Sequence, residues 1–436
     1  MAIDPGAGST RDYLATPVRR VVDRAMGFEQ WRSARERAGL MPYAKYLIEP
    51  PRASTTLQYS DGRRFSGINF ATQDYLSLAS HPAVMTAATE AIQRFGVHSA
   101  GSTALAGNVH EALRLEAEIS ELLHTRHTLL FPTGWAAGYG VIRGLVRETD
   151  HVVLDVLAHN CLQEGAMAAT RNLYRIRHRD LAMTRHRLST IRAHDPANAI
   201  VVVTEGIFSM DADVPDLRAF QALCREYEAT LIVDVAHDLG CMGPDGSGQI
   251  GVQGMLGEID IVMGSFSKTF ASNGGFVSCN SRAIKEYLRY YAPSNTFSNA
   301  LSPIQIAVVQ TALGIVRARE GEALRQRLHT AVVALRQGLS DEGLRLYGEP
   351  HAIVPMAVGS EAVARRATML AARNDVLVNL SEFPAVPINE SRFRLQVMAT
   401  HEPDDCRAAA KLIATSVRQA EADIAADRSG RELEAA

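Results

Sequence analysis

Residues 230–277 read TLIVDVAHDLGCMGPDGSGQIGVQGMLGEIDIVMGSFSKTFASNGGFV, and two short apolar runs within them, 231–233 and 259–263, set the reading of the chain. Each run ends in polar residues, as buried parallel strands do when they deliver side chains to the carboxyl edge of a sheet. The first delivers Asp234 and His237, the second Ser265, Ser267 and Lys268.

The chain has four lysines, Lys45, Lys268, Lys285 and Lys411, and only Lys268 follows an apolar strand among small hydroxyl residues. A charged lysine is costly to bury unless it has a partner or has become an imine. An aspartate leaving a neighbouring strand is suited to keep a heterocyclic nitrogen protonated. Together the two match what pyridoxal phosphate requires, a lysine for its aldehyde and an acid for its pyridinium nitrogen. Singly, each also fits a plainer role, a lysine reaching along the sheet edge to solvent and an Asp capping a turn. Short patterns recur by chance, so the surrounding order decides.

That order is an alternation of strand, loop and helix. HTLLFPTGWAAGYGVIRGLV (127–146) gives a strand, a glycine turn and a small-residue helix, and such a helix start presents free backbone N–H groups that suit a phosphate. DHVVLDV, then AIVVVTEGIFSMDAD, then the opening stretch repeat the unit. The expected fold class is α/β with a largely parallel central sheet. Its strand ends carry Asp155 and His159, then Glu205, Ser209 and Asp211, then Asp234 and His237, then Ser265 and Lys268. Ligands of open parallel sheets sit at those ends.

At 436 residues the chain is long enough for more than one domain. Composition changes suggest an N-terminal arm over 1–60 with one helix, a large domain over 61–335, a smaller α+β domain over 336–420 and a charged tail over 421–436. In the large domain, LQYSDGRRFSGINFAT reads as strands around a D-G turn, and a long helix runs from SPIQIA toward Ala334. In the smaller domain, Arg392 and Arg394 stand two apart on one strand and so share a face. The formal net charge of −3 gives no global basic surface for nucleic acid. Five scattered cysteines without a C-x-x-C pair argue against a zinc ribbon or disulfide scaffold. No signal-peptide core or apolar run of spanning length is present, so no membrane span is expected and a cytoplasmic location is.

Four ordered segments carry a family resemblance: TEGIFSMDAD (204–213), DVAHDLGCMGPDGSG (234–248), GSFSKTF with GGFV (264–277), and the polar loop before SPIQIA (302–307). Over residues 69–415 or so, the chain resembles the α-oxoamine synthases, a family of fold-type I pyridoxal phosphate enzymes. The resemblance implies that Lys268 is the Schiff-base lysine and later the base for the α-proton. It implies that Asp234 pairs with the pyridine nitrogen, that His237 and Ser209 contact the ring's 3-hydroxyl oxygen, and that His159 stacks on the ring face. Gly134 and Trp135 then supply amides to the phosphate, with Ser265 and Ser267 as nearby hydroxyl donors. Ser298 and Asn299 would reach the phosphate from the second subunit of a homodimer. Arg394 matches the arginine that holds the substrate carboxylate, a task suited to its planar fork. Gln73 and Ser102 fall where the family shapes the substrate side.

The chain departs from the family pattern at Val235, Ala158, Gln73, Ser77 and the Asn299-Ala300 pair, which bears on substrate identity more than on cofactor chemistry. The implied reaction is condensation of a small amino acid with an acyl thioester, carried by CoA or a carrier protein, with loss of carbon dioxide to give an α-aminoketone. A pyridoxal-phosphate-dependent aminotransferase or aldolase of the same fold is the alternative. A non-catalytic partner subunit is a further one, against which Lys268 argues.

Overall fold

The computed structural model describes residues 4–14 and 17–435. The expected arm and tail therefore include residues 1–3, 15–16 and 436, which lie outside the described residues. Two compact units divide the rest: one contains residues 74–209 and 213–326, the other residues up to 73, 210–212 and from 327 onward.

The first unit is built on a sheet of seven strands. In chain order they are β1 (His127–Phe131), β2 (His151–Asp155), β3 (Leu173–Ile176), β4 (Ile200–Glu205), β5 (Thr230–Asp234), β6 (Ile261–Ser265) and β7 (Gly275–Cys279). Their order in the sheet is β1-β7-β6-β5-β4-β2-β3. Every residue of β2, β4, β6 and β7 is buried, as in a sheet covered on both faces. All neighbours are parallel except β7, which runs antiparallel to both β1 and β6. Helix α1 (Gly134–Leu145) follows β1, and α2 (Asn160–Ala169) follows β2. Small residues on α1 let it lie close to the sheet and to α2: a Cβ on Gly138 would stand 2.3 Å from Cys161 Sγ. Leu154, Val203, Ile232 and Met263 of the strands share one apolar core with Ala137 and Val141 of α1.

Gly275 explains how β7 fits. A Cβ there would lie 2.7 Å from Gly134 Cα and 2.8 Å from Gly264 O, so only glycine allows the start of β7 to pass between the Gly134 turn and β6.

The second unit joins the two ends of the chain. Strands Ser54–Gln58 and Arg64–Asn69 form the expected hairpin around Asp61-Gly62, with Gly62 at φ 85. Val376–Leu377 then adds to Arg64–Asn69 in parallel. That pairing, and not the composition change near residue 60, puts the N-terminal residues with the C-terminal ones. Arg365 tightens the link: it donates Nε to Glu382 Oε2 at 2.6 Å, and Nη1 and Nη2 to the carbonyls of Gly6 and Gly8 at 2.7 Å each. Trp31 adds Nε1 to the Ala7 carbonyl at 3.0 Å. The unit's second sheet has the order Ile353–Gly359, Ser391–Gln396, Leu380–Ser381, all antiparallel.

The long helix expected toward Ala334 is two helices, Pro303–Arg317 and Arg319–Asp341. Ala318 is extended between them, at ψ 171. Gly321 comes so close to the Val316 carbonyl that a Cβ would stand 2.3 Å away, and Arg325 Nη1 donates to that carbonyl at 2.7 Å. The exposed carbonyl end of the first helix is thus satisfied by the start of the second.

Candidate active site

The carboxyl ends of β1, β2, β4, β5 and β6 open onto a cavity of about 230 Å³. Gly134, Trp135, His159, Asp234, His237, Ser265, Ser267 and Lys268 all line it. These residues come from four strand-to-loop junctions, which is how parallel sheets assemble sites from distant sequence.

One end is a cradle for an anion. Thr133 caps α1, its hydroxyl accepting the Ala136 amide at 3.0 Å, so the first turn presents its remaining N–H groups outward. A Cβ on Gly134 would stand 2.3 Å from Ser265 Cβ, which is why the turn can approach the end of β6. The Ser265 and Ser267 hydroxyls are 2.7 Å apart, and the Ser267 amide donates to Ser265 Oγ at 3.3 Å. Trp135 is 46% exposed and stacked on Tyr139 with ring centroids 5.2 Å apart.

The other end is acidic and buried. Asp234 ends β5, and its Oδ1 accepts the Ala236 amide at 2.8 Å. Burial pushes this carboxyl up, with His159 and Lys268 acting in the opposite direction. His237, three residues on, has its Nδ1 2.9 Å from the hydroxyl of the fully buried Tyr75. His159 caps α2, accepting the Cys161 amide on Nδ1 at 3.3 Å, and its own amide donates to Glu205 Oε1 at 2.5 Å.

The remaining candidates lie elsewhere. Ser209, Ser102, Ser298 and Asn299 are in the same unit but off the cavity lining. Ser102 and Asn299 form an antiparallel bridge, and the Ala300 amide donates to the Gly101 carbonyl at 2.8 Å, so these two loops are one structure. Gln73 and Arg394 belong to the second unit. Gln73 Oε1 and Ser102 Oγ are both buried without a hydrogen-bond partner. Arg394 sits on Ser391–Gln396 with its amide donating to the Asn379 carbonyl at 2.8 Å. Its neighbour Arg392 is committed to Asp211 by an ion pair and lies over the Tyr347 ring, 4.3 Å from its centroid. Tyr75 and Cys161 took no part in the sequence reading, and Glu205 entered it only as a strand-end acid. The signal for Tyr75 was its place beside Gln73 in QDYL; nothing local marks Cys161.

The donor set fits pyridoxal phosphate. Amides and hydroxyls of the Gly134 turn and of Ser265 and Ser267, the buried acid Asp234, the Lys268 amine and the His159 imidazole all line one cavity. The family description "Aminotransferase class I and II" matches residues 66–413. The chain belongs to that family. Among curated class I and II relatives, 8-amino-7-oxononanoate synthase of Geobacter metallireducens is 35% identical over 345 residues, 79% of this chain and 87% of that protein. The enzyme of the same name from Salmonella typhimurium is 33% identical, over 79% of this chain and 88% of its own length. A solved serine palmitoyltransferase variant from S. paucimobilis, with bound PLP and myriocin, is 26% identical with a TM-score of 0.85, covering 93% of this chain and all of that one. Within the class I and II family the chain is thus an α-oxoamine synthase, an acyltransferase that uses pyridoxal phosphate. Its reaction is the decarboxylative condensation of an amino acid with an acyl thioester. Among the described residues no helix is long and apolar enough to cross a membrane.

Proposed function

We propose that the cavity is where this condensation takes place, with Lys268 holding the cofactor aldehyde and Asp234 under its ring nitrogen. The observation that carries this is the convergence of Lys268, Asp234, His159 and the Gly134 turn on one cavity at the sheet's carboxyl edge. When bound, pyridoxal phosphate draws electrons from the α-carbon of the amino acid. Asp234 keeps the ring nitrogen protonated by charge pairing in a water-poor site. Its Oδ1 is already fixed by the Ala236 amide, which leaves the carboxyl little freedom to turn away. His159 would lie against one face of the ring and shield it from water. His237, its Nδ1 held by the Tyr75 hydroxyl, would direct its other nitrogen to the ring's hydroxyl oxygen, with Ser209, outside the cavity lining, as the second proposed donor. With the cofactor bound, Lys268 would be placed to take the amino acid's α-proton. The α-carbon would then bond to the thioester carbonyl as the C–S bond breaks and the thiolate leaves; the α-carboxylate would depart as carbon dioxide and the proton held by Lys268 would return to that carbon. Ser102, with its orphaned oxygen, is assigned to the substrate side; for Arg394 as holder of the substrate carboxylate, and for Gln73, the family resemblance is the support.

The enzyme is further proposed to be a cytoplasmic homodimer in which Ser298 and Asn299 serve the partner's phosphate. Phe297 is 88% exposed, Leu105 83% and Val97 69%, and all three flank the Ser102–Asn299 bridge. Large apolar side chains gathered at one place support burial against a second copy.

Purified protein is expected to show the visible absorbance of lysine-bound cofactor, and Lys268→Ala to lack it. Incubation with glycine, alanine or serine and an acyl-CoA should release free thiol and carbon dioxide together. Thiol without carbon dioxide, or exchange of the amino group alone, would replace the condensation with another reaction on this scaffold.

A further inference from the structure

Glu205 is the acid of the site that the mechanism above leaves without a task. It ends β4 directly opposite Asp234 of β5, as register partners on adjacent parallel strands, so the two side chains leave the sheet on the same face. Both line the cavity, and they are 2% and 6% exposed. Glu205 Oε1 receives the amide of His159, the residue that starts α2 and whose imidazole borders the same cavity. Two carboxylates side by side out of water cannot both stay charged cheaply.

We propose that Glu205 is a positioning residue, which as a neutral carboxylic acid anchors the His159 amide and so sets the imidazole on the cofactor ring, leaving Asp234 as the anion beneath the pyridine. The surroundings divide the pair in that sense. The titratable groups packed around Glu205 are Asp234, Asp155 on β2, His159 and Cys161 at the start of α2, and Lys268 after β6. Burial pushes Glu205 well up, Asp234 and Asp155 push it further, and the His159 amide and Lys268 oppose. Asp234 is pushed up by burial too, but His159 and Lys268 hold it down. These surroundings favour the proton on Glu205 over Asp234. The protonated ring nitrogen, adjacent to Asp234, adds to the same bias. A hydrogen bond from the backbone amide to one oxygen of a neutral acid fixes the backbone of the residue before α2, and the Cys161 amide donating to Nδ1 at 3.3 Å then orients the ring that caps the helix.

This inference rests on the cofactor reading, so its test separates the two. Wild type, Glu205→Gln and Glu205→Ala are each freed of cofactor and titrated with pyridoxal phosphate, and the visible absorbance and circular dichroism of the reconstituted proteins are followed with pH. Glutamine is the uncharged analogue and still offers an oxygen to the His159 amide. It should keep the visible dichroism and hold the pH midpoint of the absorbance band within about half a unit of wild type. Alanine orphans the amide and should weaken cofactor binding at least about fivefold, with loss of the dichroic band. A Glu205→Gln midpoint displaced by more than that, or Glu205→Ala binding weakened less than that, would overturn the assignment. If Glu205→Ala does not fold, the glutamine titration alone decides. Wild type without the visible band would instead remove Lys268 as the cofactor's anchor.

Discussion

Replacing His178 with glutamine should remove a pH-dependent clasp from the first unit. His178 Nδ1 lies 3.0 Å from Asp155 Oδ1, and Nε2 lies 2.8 Å from Asp213 Oδ2, so both ring nitrogens face carboxylates and both must donate. Arg179 reinforces the pair, its amide donating to Asp155 Oδ2 and its Nη1 to Asp213 Oδ2, each at 2.8 Å. Burial lowers the imidazole's proton affinity, but the Asp155 and Asp213 carboxylates outweigh it and push it up to about 9. Against a free value of about 6.5, that difference is worth at most roughly 3.4 kcal/mol. The ring is partly exposed, and solvent screening brings the expected value to roughly 1–2 kcal/mol. Because the folded-state value is raised, this stability is fully present below about pH 6.5 and is lost as pH rises through about 9. Urea unfolding of wild type and His178→Gln at about pH 6 and about pH 10 measures it. The gap between the two proteins should be widest at the acid end and mostly closed at the alkaline end. A gap that is constant across the range, or that widens with pH, would show that the imidazole is not held charged.

Gly134→Ala should collide with Ser265, since its Cβ would lie 2.3 Å from that residue's Cβ, and is expected to cost about 1–3 kcal/mol in stability and to weaken cofactor binding more than substrate binding. Thermal unfolding and a pyridoxal phosphate titration read the two effects. Tyr75→Phe removes the buried hydroxyl 2.9 Å from His237 Nδ1 and should cost roughly 1–2 kcal/mol, seen as a lower urea midpoint. Asp238 follows His237 and is fully buried; burial pushes its carboxyl up to about 7, so stability is lost as pH rises from about 4, the unfolded value, and the loss is complete above about 7. Asp238→Asn, able to keep the 2.7 Å bond from the Gln249 amide, should therefore raise the unfolding midpoint more at about pH 8 than at about pH 5.

The strand ends were legible because a covered parallel sheet leaves a simple trace, apolar runs that stop at a chemical residue. Asp155, Glu205, Asp234 and Ser265 were marked by that rule alone, and each is at or next to a strand's last position. The hairpin around Asp61-Gly62 was equally plain, since a turn announces itself by the residues it needs. What local pattern cannot carry is partnership between distant segments. Nothing in residues 275–279 shows that they run antiparallel between β1 and β6. Nothing in Val376–Leu377 points to Arg64–Asn69, which is why the N-terminal residues looked like a separate arm. The break at Ala318 was hidden for another reason: no proline or glycine occupies it, and it is held by Arg325 and the close approach of Gly321. Glu205 and His159 illustrate the same limit inside the site, being visible one by one while the bond between them is not.

The insertion of β7 between β1 and β6 also fixes when the enzyme can first take up its vitamin. A chain emerging from the ribosome completes β1 early, yet that strand has no sheet neighbour until residues 275–279 have been made. Until then Gly134 has no Gly275 against it and the phosphate cradle lacks a wall. Closing so long a loop is slow, and cofactor uptake thereby reports a finished sheet rather than a half-built one.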